Sequence, residues 1–160
     1  MESSDWVSAV NEHMTGFDRM LGLEITGASP GRVEAQLTIA ACHTQIHGYV
    51  HGGVYASMVE TLGSIGAALS ARSLGRTVVG LENHTSFLRA VREGQLTAVS
   101  VPIGVGRRTQ IWNTQISDAE GRLVAVGQLR LLCVELDTLP NASLSEPQGP
   151  FNPEGTTRST

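Results

Sequence analysis

The sequence predicts one α+β domain, an antiparallel sheet built around a single long helix. Three observations carry this. The chain has 160 residues, most simply one domain and long enough to bury a real core. One helical pattern runs uninterrupted from about Gly53 to Arg72. The β-rich segments gather after that helix instead of alternating with further helices, which favours an antiparallel sheet over a parallel one.

In chain order, Asp5 to Met14 reads as a short helix with Asp5 as its N-cap, and Phe17 to Leu21 adds another turn. LGLEITGASPGRVEAQLTI reads as two strands joined at Ser29-Pro30-Gly31. The long helix stops near Leu74-Gly75, where glycine serves as a C-terminal cap. Arg76 to Val91 and Gln95 to Val105 follow as β segments, and Arg108 to Leu136 supplies a hairpin around Asp118-Ala119-Glu120-Gly121. From Asp137 the composition changes. The last segment holds four of the six prolines and no hydrophobic period, and it reads as a disordered tail over residues 137–160.

Hydrophobic residues make up 41% and charged ones 16%, below the ~25% charged share of ordinary soluble domains. Part of the surface is therefore expected to be covered, most simply by other copies of the chain. The formal net charge of -4 argues against a nucleic-acid binder, where a basic face is expected. Every basic residue is Arg, so any phosphate must be held by guanidinium groups such as Arg107 and Arg108. Cys42 and Cys133 form no motif and read as reduced, buried thiols. The first residues lack the basic and apolar regions of a signal peptide, and no apolar run reaches the ~18 residues of a membrane span. A cytoplasmic protein without membrane association is expected.

HGGVYASMVETLGSIGAAL, residues 51–69, carries a single charge, Glu60. At ~100° per residue, Val54, Tyr55, Met58, Leu62, Ile65 and Leu69 form an apolar stripe. Glu60 lies opposite, among Gly53, Ala56, Ser57, Gly63, Ser64, Ala67 and Ala71. A solvated face normally carries long polar side chains. Glycine, alanine and serine instead permit close approach, so both sides of the helix are expected to be packed, with Glu60 set there for a task.

At the helix start, Gly52 and Gly53 offer N–H donors that have no partner inside the helix. With no Cβ in the way, these donors and the helix dipole suit an oxygen that is gaining charge. Glu60 is about 10 Å further along the axis than Gly53, too far for one helix to serve one reacting carbonyl comfortably. Two antiparallel copies packed through their small-residue faces satisfy both demands, which points to a site shared between subunits. His43, His47 and His51 recur every four residues beside Cys42. Gly48, Gly52 and Gly53 break the helix they would need as metal ligands, and no metal is expected. No G-x-S-x-G elbow is present, and GVGRR lacks the features of a nucleotide loop.

The run QIHGYVHGGV from Gln45 to Val54, followed by Glu60, resembles the active-site helix of the hotdog-fold acyl-CoA thioesterases. It is similar in particular to the PaaI-type branch that includes 4-hydroxybenzoyl-CoA and 1,4-dihydroxy-2-naphthoyl-CoA thioesterases. VVGLENHTSFLRAVREG and GRRTQIWNTQISDAEGRLVA extend the resemblance over roughly residues 16–136, leaving a helical extension at 1–15. It implies a hotdog fold, an antiparallel sheet wrapped around one long central helix, in dimers that pair into tetramers. It implies hydrolysis of an acyl-CoA, aromatic or medium- to long-chain, to acid and CoA without a cofactor.

Carried over, Glu60 is nucleophile or general base, and the Gly52 N–H polarises the thioester carbonyl. Gln45 and His51 line the carbonyl and sulfur side, and Ser64 steadies the attacking water. Gly53, Thr61, Asn83 and Phe87 fall at substrate-binding positions; Arg89, Arg107 and Arg108 fall where CoA phosphates are met. Phe87 stands where the closest branch has a histidine, with His84 three residues earlier, so the acyl group is not specified. The alternative function is an acyl-CoA sensor that binds without hydrolysis.

Overall fold

A computed structural model of the protein describes residues 3–135; the expectation of a tail over 137–160 lies outside them. In order the chain forms α1 (Ser3–His13), α2 (Gly16–Leu21), β1 (Glu24–Ser29), β2 (Arg32–Thr38), α3 (Gly52–Arg72), β3 (Arg76–Phe87), β4 (Gln95–Val105), β5 (Thr109–Ser117) and β6 (Leu123–Glu135). Asp5 was expected to cap the first helix, but α1 begins at Ser3 and Asp5 lies inside it. At the start of the long helix the cap is a side chain, with His51 Nδ1 accepting from the Gly53 N–H at 2.9 Å. The thiols expected to be buried are not: Cys42 is exposed and Cys133 is half-buried.

The six strands make one antiparallel sheet in the order β1-β2-β4-β5-β6-β3. Turns follow the residues the sequence offers. Gly121 closes the β5–β6 turn at φ 75°, a left-handed conformation that suits glycine. In that turn Asp118 accepts from the Glu120 and Arg122 N–H groups and from Arg122 Nε at 3.1, 2.9 and 2.7 Å. Burial raises the Asp118 carboxyl, but these donors and the Arg122 charge outweigh it and hold it below the ordinary 3.8.

α3 crosses the sheet and touches all six strands. Met58, Val59 and Leu62 are buried with Trp112, Leu129 and Leu131. Here the helix-face expectation is corrected. Of its small residues, Gly63, Ala67 and Ala71 are buried within the chain, as is the neighbouring Gly66. A Cβ on Gly63 would meet Leu129 at 2.8 Å, and one on Gly66 would meet Trp112 at 2.4 Å. Those residues are small because the sheet presses on them, so they are not free to pack two helices together. Ala56, Ser57, Glu60 and Ser64 remain half-buried, and they face clefts.

The two sheet edges differ. At β1, the Asn11 side chain donates to the Ile25 carbonyl at 2.8 Å and accepts from the Ile25 N–H at 3.0 Å, tying α1 to the edge. β3, at the other edge, bonds to β6 alone, and residues 79–84 are exposed.

Candidate active site

Glu60 reaches from α3 to the middle of β3. Its Oε2 accepts from Asn83 Nδ2 at 2.8 Å. The Asn83 amide is itself oriented: Nδ2 also donates to the Ala56 carbonyl at 3.0 Å, and Oδ1 accepts from the Thr85 hydroxyl at 2.7 Å. With its oxygen taken by Thr85, the amide presents its N–H side to the carboxylate. The other carboxylate oxygen lies against the Gly80 backbone, where an added Cβ would stand 2.8 Å from Oε1. Beside Gly80 the β3–β6 register slips, with Leu81 as the extra residue, a bulge of the kind that re-aims groups near sites.

A cleft of about 460 Å³ opens over Glu60, walled by Ala56, Ser57, Asn83, Thr85 and Phe87. Phe87 also lies over the start of α3. Its ring stands 5.9 Å from that of Tyr55, and a Cβ on Gly52 would meet it at 2.6 Å. Gly52 is therefore glycine for close approach. Burial, with the Asp118 carboxylate adding to it, raises the Tyr55 hydroxyl above 10.0, so Tyr55 is a neutral wall.

The two N–H donors that open the helix have separate fates. His51 occupies the Gly53 donor, which requires the neutral ring to carry its proton on Nε2. The Gly52 N–H has no hydrogen-bond partner among the described residues. Gln45 sits half-buried in the preceding loop, where its side-chain oxygen accepts from the His47 N–H. His43, one of the three spaced histidines, is buried, with Nδ1 accepting from the Ala40 N–H and Nε2 beside the Leu21 carbonyl. It is a structural histidine.

Of the remaining expected residues, Thr61 donates to Asp18 at 2.6 Å, and Ser64 lines a second groove that also includes Glu60 and Ser57. The arginines do not converge within one chain. Arg89 lies just past the C-terminal end of β3. Arg107 and Arg108 lie in the β4–β5 turn near its start, where Arg76 donates to the Arg107 carbonyl at 2.6 Å. Those ends are about 36 Å apart at ~3.3 Å per residue. Sequence reading missed Gly80, Thr85 and Asp18. Only Gly80 carried a signal, since a glycine inside a strand marks close backbone approach.

A half-buried carboxylate held by one amide suits activation of water, and the free N–H at the start of the same helix, about 12 Å away along its axis, suits an oxygen that gains charge. Comparison with known proteins gives the family. The family model of the thioesterase superfamily matches residues 47–125. The proofreading thioesterase EntH of Cronobacter turicensis is 38% identical over 68% of this chain and 79% of its own. The 1,4-dihydroxy-2-naphthoyl-CoA hydrolase of Listeria monocytogenes is 33% identical over 71% of this chain and 91% of its own. The solved thioesterase HI1161 of Haemophilus influenzae superposes with a TM-score of 0.77 at 34% identity, over 81% of this chain and 91% of that one. The chain belongs to the thioesterase superfamily and is a hotdog-fold thioester hydrolase.

Proposed function

We propose that the protein is a cytoplasmic acyl-CoA thioesterase and that Glu60 carries the reaction, with water as co-reactant and no cofactor. The observation that carries this reading is the Glu60 carboxylate fixed by Asn83 against the Gly80 backbone, on the wall of two clefts. Glu60 takes a proton from water as the water oxygen adds to the thioester carbonyl, or it adds to that carbonyl itself. The C–S bond then breaks, and the thiolate of CoA leaves and takes up a proton; on the second route the acyl group is left on Glu60 as an anhydride, which water cleaves to the free acid and the carboxylate. The Gly52 N–H stabilises the oxygen that gains charge. Asn83 acts as a positioning residue, His51 and Gln45 shape the carbonyl side, and Ser64 steadies water.

A homodimer joined through β3 is part of the same reading. The open β3 edge favours it, because an unpaired edge invites another strand. Antiparallel pairing of two such edges brings Arg89 of one copy toward the partner subunit's Arg107 and Arg108, a cluster suited to CoA phosphates. It also lets Gly52 of one copy work with the partner subunit's Glu60.

The test is thiol release from aromatic and aliphatic acyl-CoAs by the wild type and Glu60→Gln. Turnover in the first and a loss of about a hundredfold or more in the second is expected. Equal rates move the chemistry off Glu60, and tight binding with no release in either establishes the sensor. A single turnover in oxygen-18 water separates nucleophile from base, because only the nucleophile route places protein oxygen in the acid.

A further inference from the structure

The second groove runs between α1 and α3 and encloses about 840 Å³. Its floor is one face of α3, with Ser57, Thr61, Ser64 and Ala68 at helical spacing. These short side chains leave open a space that larger ones would fill. Its roof is the apolar stripe Trp6 and Val10 of α1 with Met14 just past the helix end, set four residues apart. The roof does not settle onto the floor because α1 is packed on β1 and held there by both bonds of Asn11 to Ile25. These side chains are partly buried against the core, and the part of their apolar surface that lines the groove faces a space, at a cost that an apolar occupant would relieve.

The groove has a polar end and a far end flanked by Trp6 and Arg72. At the first, Glu60 and Ser57 also line the cleft of the candidate active site, so the two spaces share a wall at the carboxylate. The nearby Thr61 and Asp18 are bonded to each other, which leaves the walls beyond them apolar. At the far end the Arg72 guanidinium lies 5.4 Å from the centre of the Trp6 ring. From Glu60 to Arg72 the floor is about 18 Å long, twelve residues at ~1.5 Å each. A single aromatic ring covers the first turn of that length and leaves the rest of the apolar wall bare.

We propose that this groove is the acyl channel and that the chain's substrates are flexible aliphatic acyl thioesters of medium to long length, with Trp6 and Arg72 closing the far end. The proposal rests on the thioesterase reading above. It gives α1 a function as the roof of the channel, and it makes Ala68, at mid-groove, a specificity-determining position.

The test is kcat/KM over saturated acyl-CoAs from butyryl to palmitoyl, with benzoyl-CoA alongside, for the wild type, Ala68→Phe and Trp6→Ala. In the wild type each added methylene that enters the groove is expected to raise kcat/KM about three- to fourfold, up to a length at which the gain stops. Ala68→Phe should shift selectivity from dodecanoyl toward butyryl by about tenfold or more. Trp6→Ala should move the upper limit to longer chains. A wild-type profile flat in chain length or favouring benzoyl, or variants that both keep the wild-type length preference, overturns the channel while thioesterase activity stands. Should Ala68→Phe fail to fold, Trp6→Ala alone decides. No hydrolysis of any of these thioesters by the wild type would overturn the thioesterase reading, and the channel with it.

Discussion

The Asn83 amide donates to the Glu60 carboxylate at 2.8 Å across the α3–β3 junction, and it faces that way because Thr85 occupies its oxygen at 2.7 Å. A residue expected to meet substrate is thus engaged with the carboxylate. Hydrogen bonds to charged groups contribute about 1.5–3 kcal/mol, so Asn83→Ala should lower kcat about ten- to a hundredfold. KM should change far less. The kcat–KM split measured on acyl-CoA decides the matter, because a residue that binds substrate would move KM first.

Gly80 should tolerate no side chain. A Cβ there stands 2.8 Å from Glu60 Oε1, and the carboxylate must swing away to admit it. Misplacing a reacting group by about 1 Å costs up to a hundredfold. Gly80→Ala should therefore lose most of its turnover while melting within a few degrees of the wild type. A variant with full activity would show that the carboxylate works from another position.

Gly66→Ala reverses a familiar sign. In an exposed helix interior this change gains up to about 1 kcal/mol. Here the new methyl would meet the Trp112 ring at 2.4 Å, within a fully buried core, and overpacking of this kind costs about 1–3 kcal/mol. Urea unfolding would report it as a lower midpoint.

Asp118 sets a pH dependence. Its folded-state pKa is lowered from the ordinary 3.8 by the Arg122 and Glu120 donors. Its contribution is therefore complete above about pH 4 and is lost as pH falls through the folded-state value. Asp118→Asn should melt below the wild type at neutral pH, and the gap should close in acid. Melting curves from pH 7 to pH 3 test this, and a gap that widens in acid would contradict it.

Arg107 and Arg108 should act on affinity. Arg108→Ala is expected to raise KM for acyl-CoA about three- to tenfold with kcat nearly unchanged. The difference should shrink as salt screens the exposed charges. Steady-state kinetics at two ionic strengths provide the check.

Local patterns decided much of this in advance. The 3.6-residue period marked out the long helix, and Ser29-Pro30-Gly31 and Asp118 to Gly121 placed turns that the structure has. Glu60 drew attention because it is the one charge on a face of small residues. The reason assigned to those small residues was partly wrong. Gly63, and beside that face Gly66, press on Leu129 and Trp112 of the protein's own sheet, contacts between residues more than forty positions apart that no helical wheel contains.

By itself, then, the sequence determined which segments are helix and strand, and it singled out the carboxylate and the glycine donors near it. These follow from side-chain period and backbone freedom, which act over a few residues. The tertiary structure alone decided what the carboxylate rests on and what space it faces. Gly80, Asn83 and Thr85 reach Glu60 only because β3 lies along α3 at one register, and α1 is held on the edge of β1 by packing and by the bonds of Asn11 to Ile25. Such relationships are set by sheet order and packing, which no short stretch of the sequence encodes.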